Sequence, residues 1–533
     1  VPIFLLLLLT VVCLLEKFPA PVPIGGWQPG SFGAAVLTGG AMGCMVLAGW
    51  LLANWFRRNL RSWPNKRDHW IRKYSALRFY HLVSVIAVYA SVLYFFGWGW
   101  AVQNFCLWLS GHDGQTVIAS HDWPQSASDL EWLYGRQVIT SPVQKPVLLP
   151  GAELLLLAPF LTALILSWFF YYDADRALHE SSESASEEAF WSRGGYLGYR
   201  LRQNLALLFA PLSLMIVVKA LQHAFGEGDA GWLSQLIAQA IALALIPPVF
   251  IGFPWILRLV LGLKPLPEGT LRERLMATSR RLNFRCSNIL LWDTHGGVAN
   301  AVVAGVVRHP RYVLFTDRLV SDLTPSEVEA VFGHEIGHVK HYHIPYYVGF
   351  LLVSICAVAC LWNLATLYVP ALRSILPPNE EWTKVPFVGV VGAYIFLVFG
   401  FLSRRCERQA DVFGCRAVSC GRSDCPGHAD ETVLSPEGAG LCATGIRTFV
   451  DALQKVDRIN HGAIRGRPGW LQSWQHSTVA HRVAFLQRVL ADPSLEQRFQ
   501  RRVALVKWAL ALGLALLVSV LIALQGWQAI FSF

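Results

Sequence analysis

The sequence predicts a mainly α-helical, polytopic membrane protein of about nine spans, with a cytoplasm-facing part that carries a small β-sheet. Three observations predict it. Of the 533 residues 54% are hydrophobic and only 15% charged, and the mean hydropathy of +0.41 is too apolar for a soluble globular chain. Apolar runs of bilayer length recur along it, and Lys and Arg crowd into alternate loops. Between Asn288 and Asp317 the pattern changes to short β-like runs.

In chain order, the first apolar run is Ile3 to Leu15, which has no basic residue ahead of it and so reads as a first span rather than a signal peptide. Further spans are expected at 34–56, 79–108, 148–172, 203–222, 233–263, 345–369, 385–402 and 503–531. Pro247, Pro248 and Pro254 should kink or break the span 233–263. Segment 173–193, rich in Glu and Ser, reads as a solvated loop without chemistry. With nine alternating spans, the loops on one side hold 37 basic residues and those on the other hold 5. The positive-inside rule then puts 57–78, 173–202, 264–344 and 404–502 in the cytoplasm, at a cell membrane. The formal charge of +10 is read as this signal and not as a nucleic-acid footprint. Eleven scattered Cys, an odd number, several inside apolar runs, point to reduced thiols.

The short strands are Ile289 to Trp292, Ala301 to Val307 and Tyr312 to Phe315, with a turn at His309-Pro310. A helix follows. Thr324 can cap it, Pro325 suits its first position, and Glu327 closes a capping box. It carries His334-Glu-Ile-Gly-His338, the H-E-x-x-H pattern. Residues i and i+4 share a helix face, so both imidazoles can grip one Zn²⁺, while Glu335 reaches a water on that metal as general base.

A five-residue motif needs a third ligand. Glu407 supplies one, and Asp411, again at i+4, can accept the second ring N–H of a ligand histidine. Two His, one Glu and an open fourth position describe a catalytic rather than a structural zinc. His341 and His343 follow the ligands closely, yet a helix end beside a membrane is a natural place for solvated histidines, and they are left out of the site. Cys415, Cys420, Cys425, His428 and Cys442 fall in a Gly- and Pro-containing insertion. Their spacing matches no standard zinc finger, so a second, structural metal and free thiols both stand open.

With Asn300-Ala-Val-Val-Ala-Gly305, His334-Glu-Ile-Gly-His338, Glu407-Arg-Gln-Ala-Asp411 and His476-Ser-Thr-Val-Ala-His-Arg482, the chain resembles the integral-membrane zinc metallopeptidases that include the HtpX heat-shock protease and the CAAX prenyl endopeptidase. The last motif departs from the family's commoner His-Pro-Pro, with Ser477 and Thr478 in the proline positions. The resemblance implies a zincin-like catalytic domain. It also implies a substrate strand paired along the edge marked by Asn300, Ala301 and Gly305, although the strand pattern alone fits an ordinary core hairpin equally well. It places His476 near the metal as an oxyanion donor and Arg482 there as a partner of Asp411 or of the substrate backbone, where spacing alone reads a surface pair.

The expected organisation is an N-terminal transmembrane region over 1–263, of about six spans, then a first catalytic segment over 264–344. A transmembrane hairpin over 345–403, a second catalytic segment over 404–502 and a last span over 503–533 follow. The implied partners are a peptide or protein substrate and the lipid bilayer. Turnover of membrane proteins, as in HtpX, and trimming of lipidated C-termini, as in the CAAX protease, are the competing activities. A non-catalytic scaffold or transporter is the rival class; its mark would be loss of Glu335 or of a ligand, and all are present.

Overall fold

The computed structural model describes residues 30–109, 151–180, 190–204, 232–368, 394–422, 440–461 and 478–525, with single positions between them that include Cys425, Gly427 and His428. The expected spans at 3–15 and 203–222 lie wholly or mostly outside the described residues, as does the first half of the span at 385–402. Two compact units divide the chain, one formed by residues 1–250 and 376–384, the other by 251–375 and 385–533.

The first unit contains α1 (Ser31–Ser62), α2 (Arg67–Tyr94), α3 (Trp98–Leu109) and α4 (Ala152–Glu180). Helix α1 lies against α2 and α4, with Gly49 where a Cβ would press on His81 and Ser167. His81 bridges them, with Nε2 2.8 Å from the Met45 carbonyl and Nδ1 2.8 Å from the Tyr171 hydroxyl. Two expectations need correction here. The run 79–108 is two helices, because Gly97 adopts φ +78° and a Cβ there would strike Pro21; the chain turns at that point. Segment 173–193 begins as helix, to Glu180, and its Asp175 is buried, accepting hydrogen bonds from Tyr74, Arg78, Tyr196 and Arg200. A buried carboxylate is tolerated because several donors answer it.

Helix α5 (Trp232–Val260) runs unbroken through Pro247, Pro248 and Pro254. In the second unit follow β1 (Lys264–Pro265), α6 (Thr270–Arg281), β2 (Asn288–Trp292), β3 (Ala301–Ala304), β4 (Tyr312–Thr316), α7 (Asp317–Asp322) and α8 (Pro325–Lys340). Beyond them come α9 (His343–Tyr368), α10 (Gly400–Ala417), α11 (Ala443–His461), α12 (Val479–Ala491) and α13 (Ser494–Gln525). Among the described residues, four helices are long and apolar enough to cross a membrane: Ser31–Ser62, His69–Tyr94, Ala152–Glu180 and Ser494–Val520.

The sheet has the order β1-β2-β4-β3, with β2 and β4 parallel and the outer pairings antiparallel. Buried at all five positions, β4 is one of the two inner strands, and β3 is an edge. Strand β3 stops at Ala304, short of the expected Val307, because Gly305 at φ +117° turns the chain where a Cβ would collide with the Pro310 carbonyl. Its outward N–H groups are taken from within the chain: Ala301 donates to Asn300 Oδ1 at 3.0 Å and Val303 to Glu335 Oε2 at 3.0 Å.

Helix α8 begins as its sequence dictates, with Glu327 N–H donating to Thr324 Oγ1 and Thr324 N–H to Glu327 Oε2. Val328, Phe332 and Ile336, spaced i and i+4, bury one face of it in a core shared with Ile289, Val313 and Phe315 of the sheet. Glu329, also buried, ties α8 to α6 by accepting from Arg274, Thr278 and Arg281. A second face of α8 meets α10 across small residues. A Cβ on Gly333 would lie 2.2 Å from the Ala417 Cβ, and one on Gly337 would lie 2.9 Å from the Phe413 Cβ and 3.1 Å from the Ala410 Cα. On α10, a Cβ on Gly414 would lie 2.9 Å from the Ala330 carbonyl. Backbones therefore approach closely at the level of the histidines, and this sets the distance from α8 to Glu407.

Candidate metal centre

The close α8–α10 contact brings His334, His338 and Glu407 together, with one ligand atom from each within 4.8 Å of the others. The two Nε2 atoms face each other at 3.2 Å, and Glu407 oxygens stand 3.8 Å from His334 Nε2 and 3.7 Å from His338 Nε2. A tetrahedral zinc with bonds of about 2.0–2.1 Å separates neighbouring N or O donors by about 3.3 Å, so these residues fit that ion within a few tenths of an ångström.

Tautomers support the fit. Asp411, 0% exposed, has Oδ1 3.0 Å from His334 Nδ1, so the proton of this imidazole sits on Nδ1 and Nε2 keeps its lone pair. Arg482, on α12, grips Asp411 with both Nε, at 2.9 Å, and Nη2, and its Nη1 is 3.7 Å from Glu407. Burial alone would push the Asp411 carboxyl up, but the Arg482 guanidinium and the His334 ring together hold it below its usual range.

The second histidine has a support that the sequence reading placed in solvent. His343 is 0% exposed, with Nδ1 3.0 Å from His338 Nδ1 and Nε2 3.0 Å from Gln409 Oε1. The same Oε1 accepts from the Lys507 ammonium at 3.2 Å, so it is an acceptor and His343 Nε2–H donates to it. A neutral, buried His343 then offers Nδ1 as acceptor, the proton lies on His338 Nδ1, and His338 Nε2 is left bare toward the centre. Two bare lone pairs aimed at each other repel unless a cation lies between them. Tyr342, at φ +53°, turns the chain between α8 and α9 and swings His343 back under His338. Spacing along one helix could not reveal this; the histidine density of the stretch 334–343 was the signal. A ring of Phe449, from α11, stacks on His334 at 5.8 Å.

Glu335, one step round α8, holds its carboxylate against the edge strand through Val303 N–H. Asn300 is exposed and Gly305 forms the turn beyond Ala304, so the three edge residues named from sequence lie on one sheet margin. His476 lies outside the described residues. Of the cysteine-rich group, Cys420, Cys425, His428 and Cys442 come together, whereas Cys415 does not. It sits inside α10, fully buried in an apolar cluster, because the helix has not yet ended there.

Residues 266–433 match Peptidase family M48. The CAAX prenyl protease 1 homolog of Arabidopsis thaliana is 31% identical over 124 residues, which are 23% of this chain and 26% of that protein. The Protease HtpX homolog of Pyrobaculum islandicum is 26% identical over 230 residues, 42% of this chain and 63% of that protein. The crystal structure of S. mikatae Ste24p aligns at a TM-score of 0.44 and 15% identity, covering 85% of this chain and 98% of that one. The chain thus spans less than two thirds of the length of either curated relative. His334, Glu335, His338, Glu407 and Asp411 all fall inside the segment that matches Peptidase family M48.

Proposed function

We propose that this chain is a membrane-embedded, zinc-dependent endopeptidase whose ion is held by His334, His338 and Glu407 and whose general base is Glu335. The observation that carries the reading is the convergence of those three donors beside a carboxylate that already touches the exposed edge of the sheet. When bound, Zn²⁺ supplies Lewis acidity, polarising the scissile carbonyl and acidifying the attacking water. Glu335 takes a proton from that water and passes it to the departing amine. Asp411 holds His334 in the tautomer that leaves Nε2 bare, and Arg482 fixes Asp411 while lending positive charge to the centre. His476 is assigned as the donor to the oxyanion that forms on the substrate carbonyl.

An extended substrate strand adds along β3, whose Ala301 and Val303 N–H groups point away from β4. Main-chain recognition of this kind leaves side chains unrestricted, which favours membrane or membrane-associated proteins at large. The relatives named CAAX prenyl protease 1 motivate the second reading, trimming of a lipidated C-terminus. Cleavage of an unmodified extended peptide and of its prenylated counterpart, compared on one preparation, separates the two. The basic loops put the centre on the cytoplasmic side of a cell membrane.

The decisive test is Glu335→Gln. Gln cannot accept the proton, so proteolysis should fall by about 10² to 10⁴ while zinc stays bound. His334→Ala should lose zinc and activity together. Near-wild-type proteolysis by a zinc-loaded Glu335→Gln protein would sink the mechanism.

A further inference from the structure

Four ligand-type side chains outside the centre, Cys420, Cys425, His428 and Cys442, bring Sγ, Sγ, a ring nitrogen and Sγ within 4.8 Å of one another. We propose that they form a second metal site, a closed Cys3His site for a structural Zn²⁺. Around a tetrahedral zinc with Zn–S bonds of about 2.3 Å, neighbouring sulfurs lie about 3.8 Å apart, within the span observed. The His428 Nε2 to Cys442 Sγ edge is 3.3 Å.

Main-chain groups face three of the sulfurs. Arg422 hydrogen-bonds the Cys420 sulfur through its backbone, Gly427 does the same for Cys425, and Gly445 N–H donates to Cys442 Sγ at 3.3 Å. Three sulfurs therefore each receive a main-chain bond from a residue two or three positions onward. Gly421, at φ +76°, and Gly427, at φ +135°, supply the turns that fold these groups back. Such N–H···S bonds stabilise negative sulfur, which neutral thiols in a loop do not require. Thiolate ligands with one imidazole in four-fold array select zinc over harder cations, and four protein donors leave no open position for chemistry.

The site has a mechanical role. Cys420 lies just past the end of α10, which carries Glu407 and Asp411, and Cys442 immediately precedes α11, which carries Phe449. Ser419 Oγ links the two ends, donating to the Cys415 carbonyl and accepting from Cys442 N–H. An ion at this point clamps the exit of α10 to the entry of α11 and thereby holds Phe449 against His334. Because these ligands become thiolates on binding and belong to segments that fold together, part of the binding free energy becomes folding free energy.

The test uses the full chain purified in detergent, with zinc counted per chain and Co²⁺ exchanged for zinc. Wild type should carry about two zinc ions, one at each site. Its cobalt form should show an intense thiolate-to-metal charge-transfer band that a centre of two imidazoles and a carboxylate cannot give. Cys420→Ser with Cys425→Ser should lose one ion and the band, while His338→Ala should lose one ion and keep the band. The last pair of results also separates this site from the catalytic one, since failure of either leaves the other intact. Should the double variant not fold, the wild-type cobalt spectrum decides. A wild-type chain whose cobalt form lacks the band, or whose Cys420 and Cys425 are joined as a disulfide, overturns the proposal.

Discussion

His343 Nδ1 stands 3.0 Å from His338 Nδ1, so one of the two histidines proposed to hold the metal is oriented by another histidine where the other, His334, is oriented by a carboxylate. His343→Leu should remove the acceptor for the His338 ring N–H and weaken zinc binding by about 10- to 100-fold. His343→Asn, which keeps an oxygen near the Nδ1 position, should recover most of it. Competition with a chelator of known affinity reads both. Equal zinc affinity in all three proteins would remove His343 from the support of the centre.

Asp411→Asn breaks the chain from Arg482 to His334 and leaves the buried guanidinium with Glu407, 3.7 Å away, in place of its nearest counter-charge. Removing one partner of a buried pair costs about 3–5 kcal/mol, so the variant should melt well below wild type and bind zinc weakly. The pH dependence follows from the depressed carboxyl of Asp411. A carboxyl lowered in the folded state contributes stability that is present above its unfolded value, near 3.8, and lost as pH falls through the folded one. Acid unfolding followed by circular dichroism should accordingly steepen below about pH 4 in wild type and lose that component in Asp411→Asn.

Gly333→Ala places a methyl 2.2 Å from the Ala417 Cβ and must push α8 from α10. Overpacking of this kind costs about 1–3 kcal/mol, and since the same contact sets the reach from His334 to Glu407, zinc affinity should fall with stability. Gly349→Ala on α9, where nothing lies within 4 Å of the added carbon, is the control and should change neither. Thermal shift and zinc titration on the two variants check it.

Reporter fusions after Arg78, Arg202, Leu271 and Gln475 should report cytoplasm, and fusions near Gly114, Gly228 and Pro378 the opposite side. The motive is the division of 37 basic residues against 5. A cytoplasmic signal at Gly114 would break the alternation.

What could be read from the sequence was local. The capping box at Thr324 and Glu327 and the i, i+4 pairing of His334 with His338 depend on one helix, and one helix is what a linear pattern encodes. The pairing of Arg482 with Asp411 came only from resemblance, because two helices must meet to make it. His343 was placed in solvent because a break in helical geometry at Tyr342, invisible in hydropathy, turns it inward. Nothing in the linear pattern marks Gly333 and Gly337 as contact points, although their missing side chains let α10 approach α8 at the level of His334 and His338. Among the cysteines, spacing could not tell that Cys415 is still inside a helix while Cys420 has left it.

The edge of β3 carries one more consequence. Its outward N–H groups, on Ala301 and Val303, are answered by Asn300 and Glu335, so the margin is not an open template that any passing strand can extend. A guest must exchange: it regains the two bonds it displaces only by offering two carbonyls in strand register, which helical or folded polypeptide does not present. On the proposed mechanism, the arrival that breaks the Val303 bond would also free the Glu335 carboxylate, so the base would be released by the same event that delivers the bond to be cut. Occupancy of the edge and readiness of the base would then be one switch, and a chain that cannot throw it would leave without being hydrolysed.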